Sequence, residues 1–369
     1  MRILIVAGGT GGHIYPAAAI VKKLKKQNPE HQILWIGGKR KLEQKLVPQK
    51  EVKFQKIAAC PFPSVFSLKI ATFFVHLFLS FCQAMRYIFR FRPRVVVTMG
   101  SFHSFPVGLA AFFLGKPLIL CEQNVYLSLT NRMLLPFASR IALSFPDSFN
   151  HLPFWAKKKA VITGNPVREE IIETSRKKAI EKLGLEEGKF TFLFMGGSQG
   201  ADFLNQVACE TLRLLEKEDK RFQFIIITGD RNYSRVKEKT DRLKLKGKVF
   251  PYLYQIDLAY AASDLVICRS GATTLAEITA RGLPAILIPY PFATHNHQMK
   301  NALCMEKKGA ARVIPQEKLT PSFLKGLIKK LAEDENLLSQ MREKSKSKQN
   351  KQATSAIANL ILHYGRSEV

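Results

Sequence analysis

The chain has 369 residues, 46% apolar and 23% charged, which excludes a peptide, a single small module or a disordered tail and predicts a folded protein of two domains. Lys and Arg number 57 against 29 Asp and Glu, a net charge of +28, with only five of the acidic residues ahead of Asn165. A field of that size draws polyanions, so nucleic acid, anionic lipid and phosphorylated substrates all stay open on charge alone.

The amino terminus carries one basic residue and an apolar run, 3–7, too short for a signal peptide's core, and reads as a first strand. It enters Ala7-Gly8-Gly9-Thr10-Gly11-Gly12-His13 and then Pro16-Ala17-Ala18-Ala19. A glycine-rich turn that opens a helix brings backbone N–H groups to an anion at the positive helix end; the same glycines also suit a plain tight turn at positive φ. A second strand, 33–36, ends in Gly37-Gly38-Lys39-Arg40 without the acidic residue that holds a ribose in dinucleotide enzymes, which counts against a dehydrogenase.

Residues 62–94 bring Phe66, Phe73, Phe74, Phe78, Phe81, Phe89 and Phe91 beside Arg86, Arg90, Arg92 and Arg94. Two readings stand: an apolar face rimmed by bases that rests on an anionic membrane, or a buried helix with a solvated end. Neither uncharged stretch nearby reads as a span, since 70–85 is too short and 95–115 is broken by Gly100, His103 and Pro106. Strands follow at 95–98, 118–121 and 140–143, and a domain boundary falls at Gly164-Asn165-Pro166, where proline forces its predecessor out of the helical region. Five more strands, at 190–195, 223–228, 248–250, 265–268 and 285–289, repeat the strand–helix pattern and predict a second α/β domain.

The second half repeats the glycine-rich turn in Met195-Gly196-Gly197-Ser198-Gln199-Gly200-Ala201. Further on, Arg269-Ser270-Gly271-Ala272-Thr273-Thr274-Leu275-Ala276-Glu277 opens a helix and sets a carboxylate inside it, able to accept two hydrogen bonds from a vicinal diol. Beyond Gln316 the chain is Lys-rich and helical in pattern, ending in an apolar stretch, 357–364, that needs something to pack on. The six cysteines stand singly with no Cys-x-x-Cys pair, which predicts reduced thiols.

AGGTGGH, the GNPVR at Gly164 to Arg168, GGSQGA, RSGATTLAE and Pro289-Tyr290-Pro291-Phe292-Ala293-Thr294-His295-Asn296-His297-Gln298 occur in one order and spacing that resembles the MurG family of bacterial glycosyltransferases. The resemblance implies an α/β chain of the GT-B fold, two Rossmann-like domains with parallel sheets facing each other across a cleft. Residues 1–164 would bind acceptor and membrane, with a C-terminal helix of about 345–369 packing back on them, and 165–344 would bind the UDP-sugar. It implies transfer of N-acetylglucosamine from UDP-N-acetylglucosamine to a lipid-linked muramyl-pentapeptide in peptidoglycan synthesis, with inversion; the alternative is another GT-B enzyme with a different lipid acceptor.

Carried over residue by residue, the family's nucleotide-sugar pocket falls on Thr10, Gly11, Gly12, Asn124, Arg168, Ser198, Ile256, Ala272, Thr273, Thr274, Leu275, Glu277 and Gln298. Ile256 would face the uracil, Glu277 the ribose and Ser198 the diphosphate. His13 would be the general base, an imidazole poised to take the acceptor's proton at neutral pH, with His103, His295, His297 and Glu122 as rivals. His295 stands where the family has Asp, Ser101-Phe102-His103 replaces a Gly-Tyr pattern, and residues 125–129 lack the expected glycines, so the acceptor loop reads as stiffer or as shaped for a variant lipid-linked substrate. The sequence has no Asp-x-Asp triplet, and neither a metal nor another cofactor is expected. The partners implied are the two substrates and anionic inner-membrane lipids, at the cytoplasmic face of that membrane, and not nucleic acid.

Overall fold

A computed structural model of the chain describes residues 1–38, 43, 47, 52–60, 69–197, 200–217 and 221–366. These residues fall into two compact units, Met1–Arg168 with Gln349–Val369, and Glu169–Lys348.

The first unit is built on β1 (Arg2–Val6), β2 (Gln32–Gly37), β3 (Lys53–Lys56), β4 (Val95–Thr98), β5 (Leu118–Glu122), β6 (Arg140–Leu143) and β7 (Ala160–Ile162), all parallel, in the order β3-β2-β1-β4-β5-β6-β7. The helices that shape its site are α1 (Gly11–Gln27), α2 (Lys69–Phe91), α3 (Ser104–Phe113) and α4 (Leu129–Leu134). Side chains of a strand alternate between sheet faces, and here both faces are covered. Ile3 and Ile5 pack with Ile14, Ala17 and Leu24 of α1, whereas Leu4 and Val6 pack on the other side with Ala84 and Ile88 of α2 and Val107 and Ala110 of α3. This two-sided burial is why β1 reads as an unbroken apolar run.

The second unit holds β8 (Phe190–Met195), β9 (Phe222–Ile227), β10 (Gly247–Phe250), β11 (Leu265–Cys268), β12 (Ala285–Leu287) and β13 (Ala311–Val313), parallel in the order β10-β9-β8-β11-β12-β13. Its core joins Phe192, Phe194, Phe224 and Ile226 to Leu204, Ala208 and Leu212 of α5 (Asp202–Glu216). Three further helices, α6 (Ile256–Ala262), α7 (Ala272–Arg281) and α8 (His297–Lys307), carry candidate site residues.

In each sheet the strand order reverses once, between β1 and β4 and between β8 and β11. Ligands of doubly wound sheets bind beyond the carboxyl ends of the strands at such a switch point. The turns after three of these four strands, β1, β8 and β11, carry the glycine-rich and Arg-Ser-Gly motifs.

The last helix, α9 (Lys348–Arg366), belongs from Gln349 onward to the first unit, where Ile357, Ala358 and Ile361 complete the core beside α1. The GNPVR turn docks on its start. Gly164, at φ +79°, lies where a Cβ would stand 2.7 Å from Asn350 Oδ1; Asn350 Oδ1 accepts from Asn165 N at 3.0 Å, and Thr354 Oγ1 accepts from Val167 N and donates to Val167 O.

Candidate active site

Beyond β1 the chain turns through residues 7–10 and enters α1 with Thr10 as N-cap. Thr10 is exposed and makes no side-chain cap, and its carbonyl accepts from His13 N at 3.1 Å and Ile14 N at 3.2 Å. Gly11 and Gly12 open the helix, and half-buried His13 follows in its first turn, where no acidic residue offsets the positive helix end. Two residues on, Tyr15 takes the Arg168 guanidinium over its ring, 4.3 Å from the centroid. Thus Thr10, Gly11, Gly12, His13 and Arg168 gather at the start of α1.

Asn124 lies in the turn after β5, two strands from β1 in the sheet. Its backbone N–H and side-chain amide both donate to Glu122 Oε1, at 2.9 and 3.2 Å, while Glu122 Oε2 accepts from Ser128 N and Asn131 Nδ2, each at 2.8 Å. Burial pushes the Glu122 carboxyl above the ordinary range against the pull of these four donors. Ser128 in turn caps α4 by accepting from Asn131 N. Glu122 is therefore a buried scaffold for the turn that presents Asn124, with both oxygens engaged, rather than an accessible base. The same network holds Ser128, within the glycine-poor stretch 125–129, to the end of β5.

Among the histidines, His103 is 2% exposed and lies against Phe102, ring centroids 4.0 Å apart, so it is packed into the fold. His297 opens α8 and donates from Nδ1 to Thr294 O at 2.8 Å. His295 is exposed and left-handed at φ +52°, followed by Asn296 at φ +54°; such a pair is sparsely populated outside glycine.

In the second unit the turn after β8 is tight. A Cβ on Gly196 would meet Ala201 N at 2.3 Å, and one on Gly200, at φ +75°, would meet Thr228 O at 2.2 Å, so neither position admits a side chain. Ser198 and Gln199 lie outside the described residues. Asn205 of α5 anchors the neighbouring turn by donating from Nδ2 to Thr228 O.

The turn after β11 leads through Gly271, an N-cap without a side chain, into Ala272, Thr273 and Thr274, the positive end of α7. Leu275 is 1% exposed and its N–H bonds Gly271 O, so its side chain belongs to the core. Glu277 is 6% exposed, and its Oε2 accepts from the fully buried Tyr260 hydroxyl at 3.0 Å. Ile256, first residue of α6, is buried. Gln298 of α8 is held at both ends: its Oε1 accepts from Tyr290 N at 3.0 Å and its carbonyl from Ser270 Oγ at 2.7 Å, which ties the 289–298 segment to the Arg-Ser-Gly turn. Arg269, also buried, donates to the carbonyls of Ile288 and Pro289 and to Gln316, so it holds the backbone of that segment.

Sequence reasoning gave no role to Tyr15, Tyr260 or Asn131, each of which holds another residue: Arg168, Glu277 and Glu122 in turn.

On the first unit α2 exposes Phe74, Phe78 and Phe89, with Arg86, Arg90, Arg92 and Arg94 exposed at its end, while α3 exposes Phe112 and Phe113 beside it. Phe81 and Phe91 instead pack against the core. Residues 61–68, including Phe62 and Phe66, lie outside the described residues.

Residues 3–143 match the glycosyltransferase family 28 N-terminal domain and residues 191–359 its C-terminal domain. The UDP-N-acetylglucosamine–N-acetylmuramyl-(pentapeptide) pyrophosphoryl-undecaprenol N-acetylglucosamine transferase of Halothermothrix orenii is 43% identical over 98% of each chain. A crystal structure of Acinetobacter baumannii MurG is 26% identical, covering 98% of this chain and 99% of that one with a TM-score of 0.75. The calicheamicin glycosyltransferase, 14% identical over 100% of this chain and 99% of its own with a TM-score of 0.71, shares the fold alone.

Proposed function

The chain belongs to glycosyltransferase family 28, and from that premise we propose that it moves N-acetylglucosamine from UDP-N-acetylglucosamine to the muramyl C4 hydroxyl of undecaprenyl-pyrophosphoryl-muramyl-pentapeptide. The observation that carries the reading is the 43% identity, over 98% of both chains, to a relative named for that transfer.

In this reading the second unit holds the donor. Ile256 meets the uracil, Glu277 takes the ribose hydroxyls, and the diphosphate rests at the positive start of α7 and on the turn at 196–201, which includes Ser198. Gln298 completes the second unit's contacts to the sugar nucleotide, and Asn124 and Arg168 are substrate-binding residues of the first unit. The first unit supplies Thr10, Gly11 and Gly12 and the base. His13 takes the acceptor hydroxyl's proton as its oxygen bonds to C1 of the sugar, the C1–O bond to UDP breaks, and the configuration inverts. Charge grows on the departing diphosphate, where helix ends and preorganised N–H groups stabilise it most.

The exposed phenylalanines of α2 and α3 and the four arginines form the surface that meets anionic lipid at the cytoplasmic face of the inner membrane, where the acceptor resides. By length and composition the segment Thr72–Phe91 of α2 could also cross a membrane; with Ser80, Ala84 and Ile88 buried on its inner side, this reading lays its exposed side on the bilayer. The +28 charge serves that surface and not nucleic acid.

The test is product identity. Purified protein with labelled UDP-N-acetylglucosamine and a detergent-dispersed lipid-linked muramyl-pentapeptide should yield a labelled lipid-linked disaccharide and free UDP. Label appearing only on a different lipid acceptor would replace this assignment with another lipid glycosylation.

A further inference from the structure

We propose that Glu43 is a positioning residue for the reaction: a resident carboxylate that fills the first glycine-rich turn from within and fixes the backbone from which His13 departs. Glu43 is fully buried. Its Oε1 accepts from Gly9 N at 2.7 Å and its Oε2 from Gly38 N at 2.5 Å, so one side chain ties the turn after β1 to the turn after β2. A carboxylate removed from water is costly unless its oxygens meet donors, and N–H bonds to an ion are the strong kind.

The glycines are there to admit this group. A Cβ on Gly8 would lie 2.9 Å from His103 Nδ1 and 3.0 Å from Glu43 Oε1; on Gly37, 2.8 Å from Glu43 Oε2; on Gly38, 2.7 Å from His103 Nε2. The turn is thus folded around Glu43 and the packed His103 ring. A backbone N–H at Gly9 that could have met a ligand's phosphate is committed to the protein's own anion, and a diphosphate placed there would face a buried negative charge. Gly9, at φ +91°, directly precedes Thr10, whose carbonyl starts α1 by accepting from His13 and Ile14. Holding Gly9 therefore sets the direction in which His13 leaves the turn.

The inference rests on the reading of His13 as base, and a double-mutant cycle separates the two. Glu43→Gln keeps the size but puts an amide NH2 against Gly9 N–H or Gly38 N–H. With the full chain, UDP-N-acetylglucosamine and a soluble lipid-linked acceptor analogue, kcat should fall at least about tenfold, while UDP affinity by calorimetry and KM for the donor stay within about twofold. In a His13→Ala background the same change should cost less than about twofold more, because the group it positions is gone. Parental kcat in Glu43→Gln, or losses that multiply in the double variant, would overturn the proposal. If His13→Ala alone keeps its turnover, the base assignment fails, and the kcat of Glu43→Gln by itself then decides whether the turn needs its carboxylate. Should Glu43→Gln not fold, Glu43→Asp, which retracts the same charge by one methylene, must show the kcat loss at unchanged donor affinity.

Discussion

Glu277 is oriented from the core, where the Tyr260 hydroxyl donates to its Oε2. Glu277→Ala should weaken UDP about ten- to a hundredfold, the worth of one or two hydrogen bonds to a charged group, yet leave 2′,3′-dideoxy-UDP binding as it does to the parent. Calorimetry with both nucleotides checks this, and equal losses for the two would remove Glu277 from the ribose. Tyr260→Phe should give a smaller loss of the same kind. Glu277 is legible in sequence because RSGATTLAE surrounds it, whereas Tyr260, inside an alanine-rich helix, reads as core, which it also is. His13 is the sharper case. Its loss should lower kcat by about 10²–10⁴ with donor affinity nearly normal, measured across pH 5 to 9, where the parent's acidic limb should vanish with the imidazole. His31 offers a test of stability instead. Burial first, then the amino-terminal charge, Lys25 and Arg366, hold its imidazole below the usual 6.5. The unfolded chain then takes up its proton first as pH falls, so this contribution is present above 6.5 and lost below it. His31→Asn should flatten the decline of first-unit stability between pH 7 and 5, followed by urea unfolding.

At the scale of elements, every predicted strand is present, and the three that were missed, β3, β7 and β13, are all sheet edges. Edge strands are short and carry polar or exposed residues, as in Lys53-Phe54-Gln55-Lys56, so the apolar run that reveals a central strand is absent. Helix α2 shows the converse limit. Composition alone could not divide its phenylalanines between core and lipid, because the division follows helical phase: Ala84 and Ile88 point inward, Phe74 and Phe78 outward. Phe74→Ser with Phe78→Ser should therefore cut binding to anionic vesicles with little loss of fold stability, while Phe81→Ser should destabilise the first unit. Changing Arg86, Arg90, Arg92 and Arg94 to Gln should remove up to about 1 kcal/mol of vesicle affinity per base and most of its salt dependence. Co-sedimentation unchanged in both multiple variants would return α2 to a purely structural role.

For the whole molecule, the repeated strand–helix pattern makes two doubly wound units legible, whereas the return of the chain's end to the first is implied by the family resemblance and not by the pattern. An apolar stretch at 357–364 announces only that it must be buried; what buries it is the sheet of the first unit, more than 180 residues earlier in sequence. Ile357 and Ile361 are each at most 1% exposed and share a core with Ile3, Ile5 and Ile14, and Thr354 and Asn350 hold the GNPVR turn that carries Arg168. Removing the side chains leaves cavities that a sheet-backed core cannot close, so Ile357→Ala and Ile361→Ala should each cost about 2–5 kcal/mol. Two units need not melt together, and the loss should appear in one calorimetric transition while the other keeps its midpoint. Asn350→Ala should cost less, about 1 kcal/mol, since it deletes one acceptor at the partly buried Asn165 N–H. A scan in which both transitions fall together in the isoleucine variants would mean that α9 stabilises the chain as a single cooperative body rather than as the last piece of the first unit's core.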